Sequence, residues 1–251
     1  MNASLNTLKT ALNERKAVKI IAGIANLDLE NVLQVVRAAE AAGATAVDVA
    51  AHPDIVKAAK AATKAAVFAS SVEPAALAQA VAAGADVAEL GNFDALYDQG
   101  LFLSAEEVLA LATQTVALVQ GQALISITVP GHLTLESQVR LAAQLEALGV
   151  DMIQTEGASR VLAAEPTAKS LTAAEKETIT LMNTRALVQA TRLPVMTASG
   201  MTENNVNQAF AAGASAVGVG SFVNKARTEA EMTERCHGVM AASRHSVSVA
   251  C

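Results

Sequence analysis

The chain has 251 residues, 52% of them hydrophobic and 17% charged, which is ample for a packed core and excludes a disordered polymer. A net charge of −6, basic residues without a cluster and 2% aromatics exclude a nucleic-acid groove, which needs a positive stripe with stacking side chains. No signal-peptide pattern opens the chain and no apolar run reaches the roughly 18 residues of a membrane span; the two cysteines, Cys236 and Cys251, form no framework and suit a reducing cytoplasm.

The first predicted element is an amphipathic helix over Leu5–Arg15, placed to plug the bottom of a barrel. After it, short apolar segments alternate with amphipathic helical ones to the end of the chain. Strands are predicted at Val18–Gly23 and Ala46–Ala50, followed by a helix opening at Pro53, where proline loses nothing by lacking an N–H. A strand at Ala66–Ser70, a helix opening at Pro74 and a strand at Asp86–Gly91 come next, and Ser104-Ala-Glu-Glu107 reads as a capping box. Strands at Ala123–Val129 and Asp151–Thr155 follow. The longest irregular stretch, Gly157–Leu171, reads either as a functional lid or as a surface insertion. A second capping box, Thr172-Ala-Ala-Glu175, precedes strands at Pro194–Ser199 and Ala216–Gly220. Short Val- and Ile-bearing strands of this kind suit a sheet buried on both faces.

An internal repeat supports the pattern. EAAGATAVDVA (Glu40–Ala50), VAAGADVAEL (Val81–Leu90), EALGVDMIQT (Glu146–Thr155) and FAAGASAVGVG (Phe210–Gly220) each join a helix end, a glycine and a strand. Eight βα units without a Pro-, Gly- or Ser-rich linker predict an α/β fold, a single (β/α)8 TIM barrel over residues 1–251, of about the usual length for that fold. A doubly wound open sheet is the alternative, and would need a reversal of strand order.

In a barrel, strand residues alternate between the interior and the helix layer. Polar residues in apolar strands are therefore expected to point inward: Lys19, Asp48, Glu89, Ser126, Thr128, Gln154, Glu156, Thr197 and Ser199. A buried lysine among carboxylates serves as a Schiff-base nucleophile or proton carrier, or else forms an ion pair that does no chemistry. Lys19, Asp48, Glu89 and Glu156 are the candidate catalytic residues, Glu156 as a general base or acid if desolvated. His132, in the VPGH turn, is a proton shuttle or an ordinary loop histidine. His52, His237 and His245 have no ligand spacing with one another or with the cysteines, and no zinc motif, Walker loop or dinucleotide fingerprint is present, so no cofactor is expected. Paired carboxylates leave recruitment of Mg²⁺ open.

The strongest local signal is TASGMTENN (Thr197–Asn205) followed by GVGSFVNK (Gly218–Lys225). Both set Gly and Ser between a strand end and a helix start, where backbone N–H groups and the helix dipole attract an anion. The loops after strands seven and eight are the usual phosphate corner of this fold. Ser199, Gly200, Gly220 and Ser221 are the predicted phosphate-binding residues, with Lys225 as a supporting charge. A β-carbon or a carboxylate at Gly220 is expected to intrude on the anion.

KIIAGIANLD, AVDVAAHPD, SSVEP, ELGNFDALYDQG, SITVPGHLTLESQVRLA, DMIQTEGA, TASGM and VGVGSFVNK, spread from about Lys19 to Lys225, resemble the hypothetical chloroplast open reading frame twenty-three family of cyanobacteria and algal plastids. The resemblance implies a ribulose-phosphate-binding type of TIM barrel, and no particular reaction. This chain has Ala25 where the family tends to carry Asp, and its turn differs around Gly131 and His132, so the resemblance assigns neither turn an acid/base role. The combined expectation is a phosphate-binding barrel of the lyase, isomerase or synthase kind acting on a small phosphorylated metabolite, or a ligand-binding or regulatory barrel without catalysis. Neither nucleic acid nor membrane is expected as a partner, and homo-oligomerisation is left open. The expected compartment is the cytoplasm, or the plastid stroma in algal relatives.

Overall fold

Eight parallel strands close into a ring in chain order: β1 (Ala17–Gly23), β2 (Ala46–Ala50), β3 (Ala66–Ser71), β4 (Val87–Leu90), β5 (Leu124–Val129), β6 (Met152–Thr155), β7 (Val195–Ala198) and β8 (Ala216–Val219). β1 pairs with β2 on one side and β8 on the other, so no reversal of strand order exists and the open-sheet alternative falls. The computed structural model describes residues 3–91, 93, 97, 100, 102–157 and 172–244. Asn92 and Asp94 of the turn after β4, residues 158–171 of the long stretch after β6, His245 and Cys251 lie outside the described residues.

Among the described residues the helices are α1 (Ala3–Asn13), α2 (Leu29–Ala42), α3 (Pro53–Ala62), α4 (Pro74–Ala82), α5 (Ala105–Val119), α6 (Leu135–Leu148), α7 (Ala173–Ala190), α8 (Val206–Ala211), α9 (Ser221–Asn224) and α10 (Glu229–Arg244). Pro53 and Pro74 stand at first-turn positions, and Ser104 and Thr172 form the two expected capping boxes with Glu107 and Glu175. Four predicted strands begin one residue too early, at Asp86, Ala123, Asp151 and Pro194, and at the two aspartates the side chain has a task of its own. Asp86 accepts the Val67 N–H at 2.8 Å and the Lys60 ammonium at 2.7 Å, and Asp151 accepts the Ile125 N–H at 2.8 Å. Each carboxylate thus caps an N–H near the start of the neighbouring strand.

α1 closes the bottom of the barrel. Leu8 and Leu12 are buried against Ala17, Ala46, Ala66 and Ala216, the first residues of four strands, together with Phe68, Val87, Met152 and Met196. Burying one such leucine is worth roughly 1.5–3 kcal/mol. The helix stops short of the predicted Arg15 because that residue adopts φ 55°, outside the helical region. Outward-facing Val18, Ile20, Val47, Val49, Val217 and Val219 pack under the helix layer on one side of the ring, and Ile125, Ile127, Val129 and Ile153 on the other. The interior is therefore layered: apolar at the N-terminal end, polar above it, open at the C-terminal rim.

Candidate functional site

The polar layer is built by strand alternation. Lys19 on β1, Asp48 on β2, Ser70 on β3, Glu89 on β4, Ser126 on β5 and Gln154 on β6 are all buried, with Lys19 and Glu89 at 0% exposure. Lys19 Nζ donates to both Glu89 oxygens at 2.6 and 2.7 Å, lies 3.4 Å from Asp48 Oδ2, and sits 4.7 Å from the centroid of the Phe68 ring beneath it. Glu89 also accepts from Ser126 Oγ at 3.0 Å and Gln154 Nε2 at 3.1 Å. Ser70 Oγ donates to Asp48 Oδ1 at 2.5 Å, while Asp48 Oδ2 takes no hydrogen bond among the described residues. Burial pushes the Asp48 carboxyl up to about 6; Lys19 opposes the rise and the Glu89 charge reinforces it. Lys19, Asp48 and Glu89 thus point inward and lie within mutual reach, as expected from sequence.

Above this layer opens a cavity of about 660 Å³ at the C-terminal ends of the strands. Ser199, Gly200, Gly220 and Ser221 all line it, with Glu156 on the β6 side and Gln154 and Thr128 as its floor. Lys19, Asp48 and Glu89 do not line it. Gln154 is the joint between the two regions, donating down to Glu89 at 3.1 Å and across to Thr128 Oγ1 at 3.2 Å. Gly218 keeps the floor open, because a β-carbon there would sit 3.2 Å from both the Ala198 β-carbon and Ile21 Cδ1. The backbone N–H groups of Gly200, Met201, Ser221 and Phe222 take no partner among the described residues. Lys225 lies at the rim as expected, and Lys176 of α7 joins it there.

One inward assignment is overturned. Thr197 faces the helix layer, its hydroxyl 2.8 Å from that of Thr184 on α7, because Met196 and Ala198 take the inward positions of β7. Ser199, two residues on, nevertheless reaches the cavity. Alternation ends there, since Ser199 has φ 80° and Gly200 φ 74°, which turns the chain back over the strand end. α7 braces this corner with polar residues at i, i+3 and i+4. Thr180 Oγ1 donates to the Ser199 carbonyl at 3.3 Å, Asn183 Nδ2 to the Glu156 carbonyl at 3.2 Å, and Thr184 meets Thr197. At Gly220 a β-carbon would lie no closer than 3.7 Å to any protein atom, Ile21 Cβ being the nearest, an ordinary contact.

Glu156 departs from a solvated loop carboxylate. It is 4% exposed, and its Oε2 accepts a short hydrogen bond from the Tyr97 hydroxyl and another from the Gly131 N–H at 3.2 Å. His132 Nδ1 lies 2.9 Å from the same hydroxyl, its ring edge-on to Tyr97 and Phe102 at centroid distances of 5.3 and 5.5 Å. Burial holds the His132 imidazole below its ordinary value, the Leu103 backbone opposing. Tyr97, Lys176 and Asn224, whose Nδ2 ties the turn after β8 to the Ile21 carbonyl at 3.0 Å, escaped the sequence reading. Among the described residues no group of three or more His, Cys, Asp or Glu side chains is placed to hold a metal ion, and no helix is long and apolar enough to cross a membrane.

The family model described as "Protein of unknown function (DUF561)" matches residues 1–248. The chain is 34% identical over 230 residues to "Uncharacterized protein ycf23" of Cyanophora paradoxa, covering 90% of this chain and 92% of that one. It is 36% identical over 209 residues to the protein of the same name in Cyanidium caldarium, covering 83% of each. Among solved structures, 3-hexulose-6-phosphate synthase from Salmonella typhimurium superposes with TM-score 0.65 at 12% identity, covering 92% of this chain and all (100%) of the other. Thiamine phosphate pyrophosphorylase from Pyrococcus furiosus superposes with TM-score 0.61 at 17% identity, covering 94% and 100%. These two likenesses speak to the fold.

Proposed function

The chain belongs to the DUF561 family, and from that premise we propose that it is an enzyme of the lyase, isomerase or synthase type acting on a small phosphorylated metabolite. One observation carries the reading: a single cavity of about 660 Å³ joins the Ser199–Gly200 and Gly220–Ser221 turns and two lysines to a buried carboxylate, Glu156. The phosphate sits against the N–H groups of Gly200, Met201, Ser221 and Phe222, with Lys176 and Lys225 supplying positive charge. Glu156 takes a proton from an enolisable carbon of the bound metabolite and later delivers a proton to the product. Asp48, Glu89 and Lys19 set the charge beneath the floor and reach the cavity through Gln154. That two solved structures of the same fold are named for phosphorylated compounds agrees with this reading. The protein works as a soluble component of the cytoplasm, or of the plastid stroma in algal relatives.

A second reading, a ligand-binding barrel without turnover, is favoured by the sealing of Lys19 at 0% exposure between two carboxylates. Thermal unfolding against phosphorylated sugars and their unphosphorylated counterparts decides the first point. A ligand at about 100 times its Kd stabilises the folded form by roughly 2.7 kcal/mol. The expected result is stabilisation by phosphorylated compounds only, lost in Gly220→Asp through the charge it adds. A stabilised wild type whose Glu156→Gln variant binds equally well but no longer turns the compound over supports the enzyme. Stabilisation with no turnover in the wild type supports the binding barrel, and no stabilisation by any phosphorylated compound overturns both.

A further inference from the structure

Glu156 has two faces. One borders the cavity; the other is tied to Tyr97, the chain's one tyrosine, and through it to His132. The hydroxyl of Tyr97 carries one proton, and that proton is committed to Glu156 Oε2. The same oxygen therefore accepts from His132 Nδ1 at 2.9 Å, so the donors run in one direction, from imidazole to phenol to carboxylate. Tyr97 is 3% exposed and stacks on Phe102 at 5.0 Å between centroids, whereas His132 is half-buried and touches solvent. The chain of three begins at the cavity wall and ends at water.

We propose that Glu156, Tyr97 and His132 form a proton relay connecting the cavity to solvent, with Tyr97 and His132 as positioning residues for the carboxylate. The role in catalysis rests on the enzyme reading above; the relay itself rests on the hydrogen bonds. The steps balance. Glu156 gains a proton from the substrate carbon, whose electron pair stays on the substrate as an enolate. The proton passes to the Tyr97 oxygen as the Tyr97 proton moves to His132 Nδ1, leaving phenol and carboxylate as they began. The His132 ring, first rearranged to the tautomer with Nδ1 free, becomes an imidazolium and releases a proton to water. The reverse passage brings a proton back to Glu156, which delivers it to the enolate to complete the product. Among the described residues, the groups facing the relay include Lys176 and Lys225 across the cavity, the Gly131 N–H on the carboxylate, and the Phe102 ring and Leu103 backbone on the imidazole. Gln154 and, behind it, Glu89 and Lys19 lie below.

The experiment is a titration of His132 by nuclear magnetic resonance, using nitrogen-15-labelled histidine in the ligand-free full chain. It is run on wild type, Glu156→Gln, Tyr97→Phe and the double variant. In wild type the neutral ring should carry its proton on Nδ1. Glu156→Gln removes the charge that favours the imidazolium through Tyr97, so the His132 pKa should fall by about one unit. In the Tyr97→Phe background, which keeps the ring stacked on Phe102, the same change should lower the His132 pKa by clearly less, because only the through-space effect of the charge is left. Circular dichroism confirms that each variant is folded. A His132 titration unaffected by Glu156→Gln, or a fall of undiminished size without the Tyr97 hydroxyl, overturns the relay. Because no ligand is present, this result stands apart from the phosphate-binding test: either can fail alone.

Discussion

Two polar regions share this barrel, one above the other, and they are built on opposite terms. The lower one, Lys19 with Asp48 and Glu89, is sealed: every charge finds a partner within 3.4 Å and none borders the cavity. The upper one is open: glycine and serine turns, backbone donors without partners among the described residues, and lysines at the rim. Buried charges in the lower layer carry a desolvation cost that the ion pairs offset. The upper layer carries a conformational cost, seen at Ser199 with φ 80°. The difference teaches that a polar residue inside a barrel is not thereby a site residue. What separates the two roles here is whether the residue borders the cavity: Glu156 does, and Lys19, Asp48 and Glu89 do not.

The largest expected effect comes from breaking the lower region. Lys19→Met leaves Glu89 and Asp48 buried without their cation, and removal of one partner from such a pair destabilises by about 3–5 kcal/mol. Lys225→Met, at the exposed rim, should leave the unfolding midpoint in place and weaken binding of inorganic phosphate. Urea titration of both variants checks the contrast. A Lys19→Met protein as stable as wild type would mean that the sealed layer is not held by its charges.

A smaller effect is expected from pH. Asp48 is raised from 3.8 to about 6, chiefly by burial, so the folded protein holds this proton more tightly than the unfolded chain does. Its contribution is present below about pH 4 and is lost as pH rises through 6. About two pH units at 1.36 kcal/mol each amount to roughly 3 kcal/mol. Exposed carboxylates titrate in the same range, so the test is the difference between wild type and Asp48→Asn, measured by urea unfolding from pH 4 to 7. The stability of wild type relative to the variant should decline across that range. A flat difference would place the Asp48 titration outside it.

Much of this was legible in the chain. Apolar segments, Pro53, Pro74 and the two capping boxes place strands and helices because they report local backbone chemistry. The inward set was read from alternation, which is why Lys19, Asp48 and Glu89 were found together. Thr197 was misplaced by the same rule: in a strand as short as Val195–Ala198 the parity is set by Met196 packing at the bottom, which a preference for polar residues inward does not see. Tyr97 and Lys176 were missed for another reason. Neither lies on a strand, and each reaches the site only because the ring brings the segment after β4 and the start of α7 over the β6 and β7 ends. The glycine–serine turns after β7 and β8 were legible, since their residue types answer to backbone geometry at the turn itself.

The smallest expected effect tests the upper region at its strained point. Ser199 occupies φ 80°, a region costly for a residue with a β-carbon, and its neighbour Gly200 at φ 74° shows the conformation that the turn requires. Ser199→Gly relieves roughly 1 kcal/mol of that strain, and the greater freedom of glycine in the unfolded chain offsets about 0.5–1 kcal/mol, so net stability should move by less than about 0.5 kcal/mol. The hydroxyl, however, is lost from the cavity wall. One hydrogen bond contributes about 0.5–1.5 kcal/mol, so inorganic phosphate should bind roughly two- to tenfold more weakly to the variant. Calorimetric titration alongside thermal unfolding separates the two effects. Weaker binding at unchanged stability is what a serine retained for a ligand predicts. Unchanged phosphate affinity in Ser199→Gly would remove Ser199 from the anion's contacts and leave its strained backbone without a functional reason.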